Sequence, residues 1–261
     1  MAWEKLEKAL DNEISKYPNA QKVLTFLRTD NQVNYFLSMS NCVTVTRMGY
    51  NDHGKTHARI AALNAMRALK LLNEKKIIPN LVSEFKTAEF GDSLEIVLFS
   101  AFLHDIGNSI IRQNHEVWGM VLVRELLNRF YEGKDELSER KKLMIMEGIL
   151  CHMGQFVPSS IESKIIALAD GCDMESGRAR IPYSKGKKDI HSLSALGVTK
   201  LRLKPGKKKP IKVDILLNSS SGVFQIEEVL IKKIKGVQFE DYVEISAFIE
   251  SRNETIKYLV D

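Results

Sequence analysis

Residues 92–107 read DSLEIVLFSAFLHDIG, and from 94 to 103 the only polar side chains are Glu95 and Ser100. Leu94, Val97 and Ala101 fall at helical spacing, and apolar residues fill most of the remaining faces. A helix that is apolar nearly all round is buried among other elements. The run is too short to cross a bilayer, which takes about 20 residues. It ends on His104 and Asp105. A charged pair closing a buried helix is costly unless its charges are paired or bound to a metal.

Working outward, residues 1–195 read as helical throughout. Leu6, Leu10, Ile14 and Tyr17 form one stripe near the start. A long helix is expected from Asn51 or Asp52, either of which can cap it, through HARIAALNAMRALKLL to about Asn73. Further helices are expected over 92–106, 113–131, 136–153 and 159–174, with Gly107, Gly133 and Pro158 marking breaks. After residue 196 the period changes. VTKLRL, IKVDILL and YVEISAFI read as strands, and FQIEEVLIKKIKG as an amphipathic helix ending at Gly236. The expected architecture is therefore α+β: an all-helical bundle over 1–195, then a small β-β-α-β appendage over 196–261.

Three widely spaced cysteines, Cys42, Cys151 and Cys172, argue against a disulfide framework and for a reducing compartment. The first residues alternate apolar and charged side chains and do not resemble a secretory signal. A cytoplasmic protein that spans no membrane is expected. The net charge of +5 conceals an asymmetry, because residues 176–212 hold twelve Lys and Arg against the single acid Asp189. That segment carries +11, which leaves −6 on the remainder. Such a face is either simply solvated or meets a polyanion such as nucleotide phosphate or nucleic acid.

Five of the six histidines lie beside a helical segment and near a second ligand type. His53 and His57 are four apart, His104 and Asp105 adjacent; His115 opens a helix, His152 closes one, and Asp170 and Asp173 are three apart. Imidazole with carboxylate suits divalent Mn, Fe, Co, Ni or Zn. Adjacent helical residues point about 100° apart, so a His-Asp pair can serve one ion with one residue while the other bridges to a second. Asp173 is placed to orient a ligand as an outer acceptor. Each feature alone is weak, since a helix-end histidine is commonly a cap. Their order and apolar context give the set its weight.

That order resembles the HD superfamily. HARIA at 57–61, FLHDIG at 102–107 and ALAD at 167–170 match its first histidine, its His-Asp pair and its late aspartate. The resemblance covers roughly residues 50–175 and implies His57, His104, Asp105 and Asp170 as primary metal ligands. HEVWG at 115–119 and EGILCH at 147–152 resemble features of binuclear branches, such as the HD-GYP phosphodiesterases and diadenosine tetraphosphate hydrolases. This implies His115 and His152 as further ligands and two metal ions. The GYP tripeptide is absent, Cys151-His152 stands in place of a His-His pair, and His53 occupies the position of an acid. These departures point away from a cyclic dinucleotide and leave His53 as a candidate acid or ligand. The wider string also resembles archaeal and bacterial HD proteins labelled phosphohydrolases.

The resemblance implies hydrolysis of a phosphate ester or anhydride, of nucleotide-like type, by a metal-bridging hydroxide, with Asp105 central. Arg178 and Arg180 are candidate catalytic and phosphate-binding cations; as plain surface arginines they need no such role. Lys55 and His191 are candidate substrate contacts. The expected partners are a phosphate-containing small molecule, nucleic acid through residues 176–212, and a second copy as a homodimer. Two competing readings are a di-iron oxygenase on the same ligand set and a non-catalytic nucleic-acid or nucleotide-binding module. Neither a phosphate loop of the GxxxxGK[ST] type nor a GxSxG nucleophile motif occurs.

Overall fold

The structure is a computed structural model that describes residues 3–132, 135–176 and 190–258, without the side chains of His191 and Ser192. Helices α1 (Trp3–Ile14), α2 (Pro18–Thr29) and α3 (Asn31–Asn41) open the chain, and a π-turn, Cys42–Arg47, prolongs α3. Then follow α4 (Lys55–Glu74), the short α5 (Asn80–Glu84), α6 (Phe90–Leu103) and a 3-10 turn, Ile106–Ser109. Helices α7 (His115–Phe130), α8 (Glu136–Cys151), α9 (Ile161–Gly171) and α10 (Ile190–Leu196) complete this part.

Helix α6 is the axis of the bundle. Every residue from Ser93 to Leu103 is buried, and α2, α4, α8 and α9 pack around it. Its polar side chains are matched internally. Glu95 accepts from Lys141 Nζ and Tyr131 Oη, each at 3.0 Å, and Ser93 donates to Glu162 at 2.9 Å. The helix starts two residues earlier than the sequence suggests, because Glu89 and Asp92 close a reciprocal capping box at its N-terminus. It stops at Leu103, so Asp105 lies in a turn rather than on the helix.

Helix α4 begins at Lys55 and not at Asn51 or Asp52. Asp52 still satisfies the helix start from outside it, accepting from the backbone N–H of Gly54 at 2.9 Å and of His57 at 3.3 Å. The preceding loop is pressed onto α3. The Asn41 side chain accepts from His53 N–H at 3.1 Å, and a Cβ on Gly54 would lie 2.9 Å from Asn41 Cγ.

The C-terminal part holds β1 (Val198–Pro205), β2 (Ile211–Leu217), a helical run α11, β3 (Val243–Ile249) and β4 (Glu254–Tyr258). Helix α11 consists of Val223–Gln225, a π-turn Ile226–Ile231, and Lys232–Gly236. The sheet order is β1-β2-β3-β4, with β2 and β3 parallel across α11 and the other pairs antiparallel. Strands β2 and β3 alternate buried and half-buried residues, and their inner face joins Ile226, Leu230 and Ile234 of α11 in the apolar core. The α+β architecture is the expected one, with β4 as an added edge strand. Its sequence, ETIKY, shows no buried alternation because its residues are exposed or half-buried. The KPGKKKP turn joins β1 to β2 as expected, and the N–H groups of Lys207 and Lys208 each donate to the Glu244 carboxylate at 3.0 Å.

Candidate metal centre

The candidate ligands arrive from five helix ends or turns around α6. His57 lies in the first turn of α4, and His104 caps the C-terminus of α6 with Asp105 beside it. His115 opens α7, His152 caps the end of α8, and Asp170 lies near the end of α9. All are buried, with His104 and His152 at 0% exposure. Two glycines make this convergence sterically feasible. A Cβ on Gly107 would fall 1.9 Å from the His115 carbonyl oxygen, and one on Gly119 would lie 3.1 Å from Ile149. The turn after His104-Asp105 can therefore lie directly against the start of α7. That contact brings His115 to Asp105.

The ring nitrogens are committed in a telling way. His104 Nδ1 lies 2.8 Å from the Ala101 carbonyl and His152 Nδ1 lies 2.7 Å from that of Ile149. A carbonyl only accepts, so both Nδ1 atoms carry the proton and donate. His57 Nδ1 pairs with Asp173 Oδ2 at 2.7 Å, and His115 Nδ1 lies 3.1 Å from the Arg112 carbonyl. The four Nε2 atoms then face inward in two close pairs. His57 and His104 approach to 3.0 Å, and His115 and His152 to 3.2 Å. Neutral rings arranged this way oppose lone pair to lone pair, which a cation relieves.

Asp105 sits between the pairs. Its Oδ2 is 3.2 Å from His57 Nε2 and 3.3 Å from His104 Nε2; its Oδ1 is 3.1 Å from His115 Nε2. Asn108 holds Oδ1 with an N–H bond of 2.9 Å. Oδ2 is buried and accepts no hydrogen bond from the described residues. Asp170 Oδ1 faces the first pair, 3.2 Å from His57 Nε2 and 3.6 Å from His104 Nε2. Its other oxygen, Oδ2, is held by Lys233 Nζ from α11. Two overlapping triads have ligand atoms within 4.8 Å of one another: His57, His104 and Asp170, and His104, Asp105 and His152.

The electrostatics match a cation site. Burial opposes ionisation of Asp105 and Asp170, yet His104 and His53 hold the first carboxyl, and Lys233 and His104 the second, well below the usual carboxylate range. Burial also opposes charge on His104, but Asp105 and Asp170 outweigh it and push its imidazole up. Burial, reinforced by His104 and His115, drives His152 well down. The surplus negative charge thus favours a cation at this point, the role a divalent ion would fill. The donor set of imidazole nitrogen and carboxylate oxygen fits such an ion.

The remaining candidates are distributed unevenly. His53 lies at the rim, 9% exposed, its Nδ1 donating to the Asn51 carbonyl at 2.6 Å and its ring centroid 5.8 Å from that of His57. Lys55 opens α4 half-buried, and no side-chain ion pair forms at it among the described residues. Arg178 and Arg180 lie outside the described residues, as does the His191 side chain on α10. Burial pushes the thiols of Cys151, up to about 11, and of Cys172 upward, so both remain apolar fillers beside the ligands. Sequence reasoning missed Lys233, Asn108 and Arg112. The Arg112 guanidinium lies 3.2 Å from both ring nitrogens of His115. Asn108 and Arg112 flank the His-Asp motif closely enough to have drawn notice; nothing in the sequence distinguishes Lys233 from the lysines beside it.

Residues 55–175 match the family model described as the HD domain. An uncharacterized protein of Methanocaldococcus jannaschii, MJ1020, is 43% identical over 223 residues, which is 84% of this chain and 85% of that protein. No solved structure matches the chain.

Proposed function

The chain belongs to the HD-domain family, a family of metal-dependent hydrolases, and from that membership we propose that it hydrolyses a phosphate ester or anhydride of a nucleotide-like molecule with two divalent ions. The observation that carries the reading is the inward convergence of four Nε2 atoms on a carboxylate whose Oδ2 accepts no hydrogen bond among the described residues. His57, His104 and Asp170 would hold one ion and His115 and His152 the other, with Asp105 a ligand available to both. Mn, Fe, Co, Ni and Zn all suit these donors. Bound there, divalent ions supply an activated water near neutral pH and neutralise charge on phosphoryl oxygens.

The protein's own residues do the rest. Asn108 fixes the plane of the Asp105 carboxylate, and Asp173 fixes the His57 ring. Burial of the ligands keeps bulk water from competing and strengthens every charge interaction at the reacting centre. His53, 9% exposed, would pass a proton between the site and solvent. Arg112 is a cation at the site, beside the His115 ring, and Lys55 opens the helix that carries His57. Arg178 and Arg180 follow the last ligand closely in the chain and would add phosphate contacts. The basic 176–212 segment would raise encounter with polyanions, nucleic acid included.

The test is reconstitution with Mn, Fe, Co and Ni, elemental analysis, and turnover of nucleotides and bis(p-nitrophenyl) phosphate. More than one metal per chain is expected. Asp105→Ala should lose metal and turnover together while its circular dichroism stays helical. Reconstituted protein that retains no metal, or an Asp105→Ala enzyme that still turns over, overturns the proposal.

A further inference from the structure

Lysine 233 lies outside the residues that match the family model, yet it reaches the metal ligands. Its Nζ pairs with Asp170 Oδ2, lies 3.3 Å from the His152 carbonyl oxygen, and 3.6 Å from Met153 Sδ. Only 13% of the side chain is exposed. A long, flexible side chain loses conformational entropy when buried, and an ammonium loses hydration. Both losses are offset here by a carboxylate and a carbonyl, each belonging to a candidate ligand residue. The lysine thus joins the end of α8 to the end of α9.

Its carrier is fixed, not tethered. The end of α11 rests on the turn after His152 so closely that a Cβ on Gly236 would fall 2.6 Å from the Gly154 carbonyl oxygen. Gly154 itself has φ +76°, a backbone conformation that favours glycine. A Cβ on Gly171, one residue past Asp170, would lie 3.1 Å from Leu230 of the same run. Beyond the end of α11, the Gln238 carbonyl accepts from Lys164 Nζ of α9 at 3.0 Å. The helix between β2 and β3 is therefore a wall of the site.

We infer that Lys233 is a positioning residue which occupies Asp170 Oδ2 and so presents Asp170 to the metal through Oδ1 alone. The geometry is direct: Oδ2 meets the ammonium, and Oδ1 turns to His57 Nε2 at 3.2 Å. A carboxylate held by one oxygen leaves a coordination position for water or a phosphoryl oxygen. With both oxygens free it would chelate and close that position. The C-terminal part then completes the active site, and the family-matching residues alone do not. This inference rests on the metal reading above.

The test compares full-length wild type, Lys233→Met and Lys233→Arg by Co2+ titration, visible Co2+ absorption, thermal unfolding and turnover of bis(p-nitrophenyl) phosphate. An ammonium beside a ligand repels a bound cation, so its removal should leave Co2+ affinity equal or tighter. The Co2+ bands of Lys233→Met should weaken as coordination number rises. Turnover kcat should fall by about 10- to 100-fold, the range seen when outer partners of metal ligands are lost, with KM little changed. A merely structural lysine predicts instead that affinity and melting temperature fall in parallel, and that result overturns the inference. So does a Lys233→Met enzyme with wild-type Co2+ bands and kcat. If Lys233→Met does not fold, Lys233→Gln takes its place, since it keeps a polar group but removes the ammonium, and unaltered Co2+ bands in it refute the role; Lys233→Arg, which keeps a cation for Oδ2, should hold the wild-type bands. Wild type that binds no Co2+ removes the metal reading as well, whereas wild-type binding with an indifferent Lys233 removes this inference only.

Discussion

Replacing Gly107 with alanine tests how the two halves of the centre are brought together. The new Cβ would lie 1.9 Å from the His115 carbonyl oxygen and 2.5 Å from Gly119 N, both backbone atoms that no rotamer change can move. Real Cβ contacts do not fall below 3.0 Å, so the turn and the start of α7 must separate by at least about 1.1 Å. Overpacking of this kind costs about 1–3 kcal/mol per site, and two backbone clashes place Gly107→Ala near the upper end. At roughly 2–4 °C per kcal/mol for a chain of this size, melting of the metal-free protein should fall by about 6–12 °C. The same displacement opens the 3.1 Å gap between Asp105 Oδ1 and His115 Nε2, but leaves His57, His104 and Asp170 on other elements. Thermal unfolding by circular dichroism and Co2+ uptake by elemental analysis read the two effects. The expected variant melts lower and takes up less Co2+, losing first the ion that His115 and His152 would hold. A Gly107→Ala protein that melts within about 2 °C of wild type and keeps its full Co2+ complement would refute the packing argument.

Two further outcomes are expected. Asp173→Asn removes the carboxylate that accepts from His57 Nδ1 at 2.7 Å, and Co2+ affinity by competition titration should drop about 10- to 100-fold with the melting temperature of the metal-free protein little changed. The pH response of the metal-free protein follows from the shifted groups. Asp105 and Asp170, held well down, contribute stability that is present above the ordinary carboxylate value of about 4 and lost as pH falls through their folded values. His104, pushed up, adds stability that is full below about 6.5 and is lost as pH rises through its folded value, whereas His152, driven well down, costs stability as pH falls from about 6.5 toward its folded value, so the two act in adjoining windows and do not cancel. Melting temperature should therefore decline gradually as pH falls from about 6.5 to 5 and steeply below about 4; a flat response between 6.5 and 5 would contradict the His152 assignment, and a fall already complete by pH 5 the carboxylate ones.

Much of this protein is legible in the order of its residues, and the reason is periodicity. An all-round apolar run such as 94–103 has no stable place except inside a bundle, so α6 and its role as axis follow from local composition. The candidate ligands follow for a related reason: His104 and Asp105 end that run, where an uncompensated charge would be costly. Strands β2 and β3 announce themselves through alternation because one face of each is buried, whereas β4 is exposed and leaves no such trace. Helix starts are less legible, since Asp52 satisfies the N-terminus of α4 from outside the helix. What only the tertiary structure decides is which nitrogen faces which. The commitment of each Nδ1 to a carbonyl or carboxylate depends on helix ends meeting in space. Lys233 is the clearest case. In FQIEEVLIKKIKG, Lys232, Lys233 and Lys235 read alike as a polar face. The π-turn at Ile226–Ile231 changes the angular phase of every residue after it, so a period of 3.6 assigns Lys233 no direction. Packing of Gly236 against Gly154 then sets the helix where one of these lysines, and not its neighbours, meets Asp170.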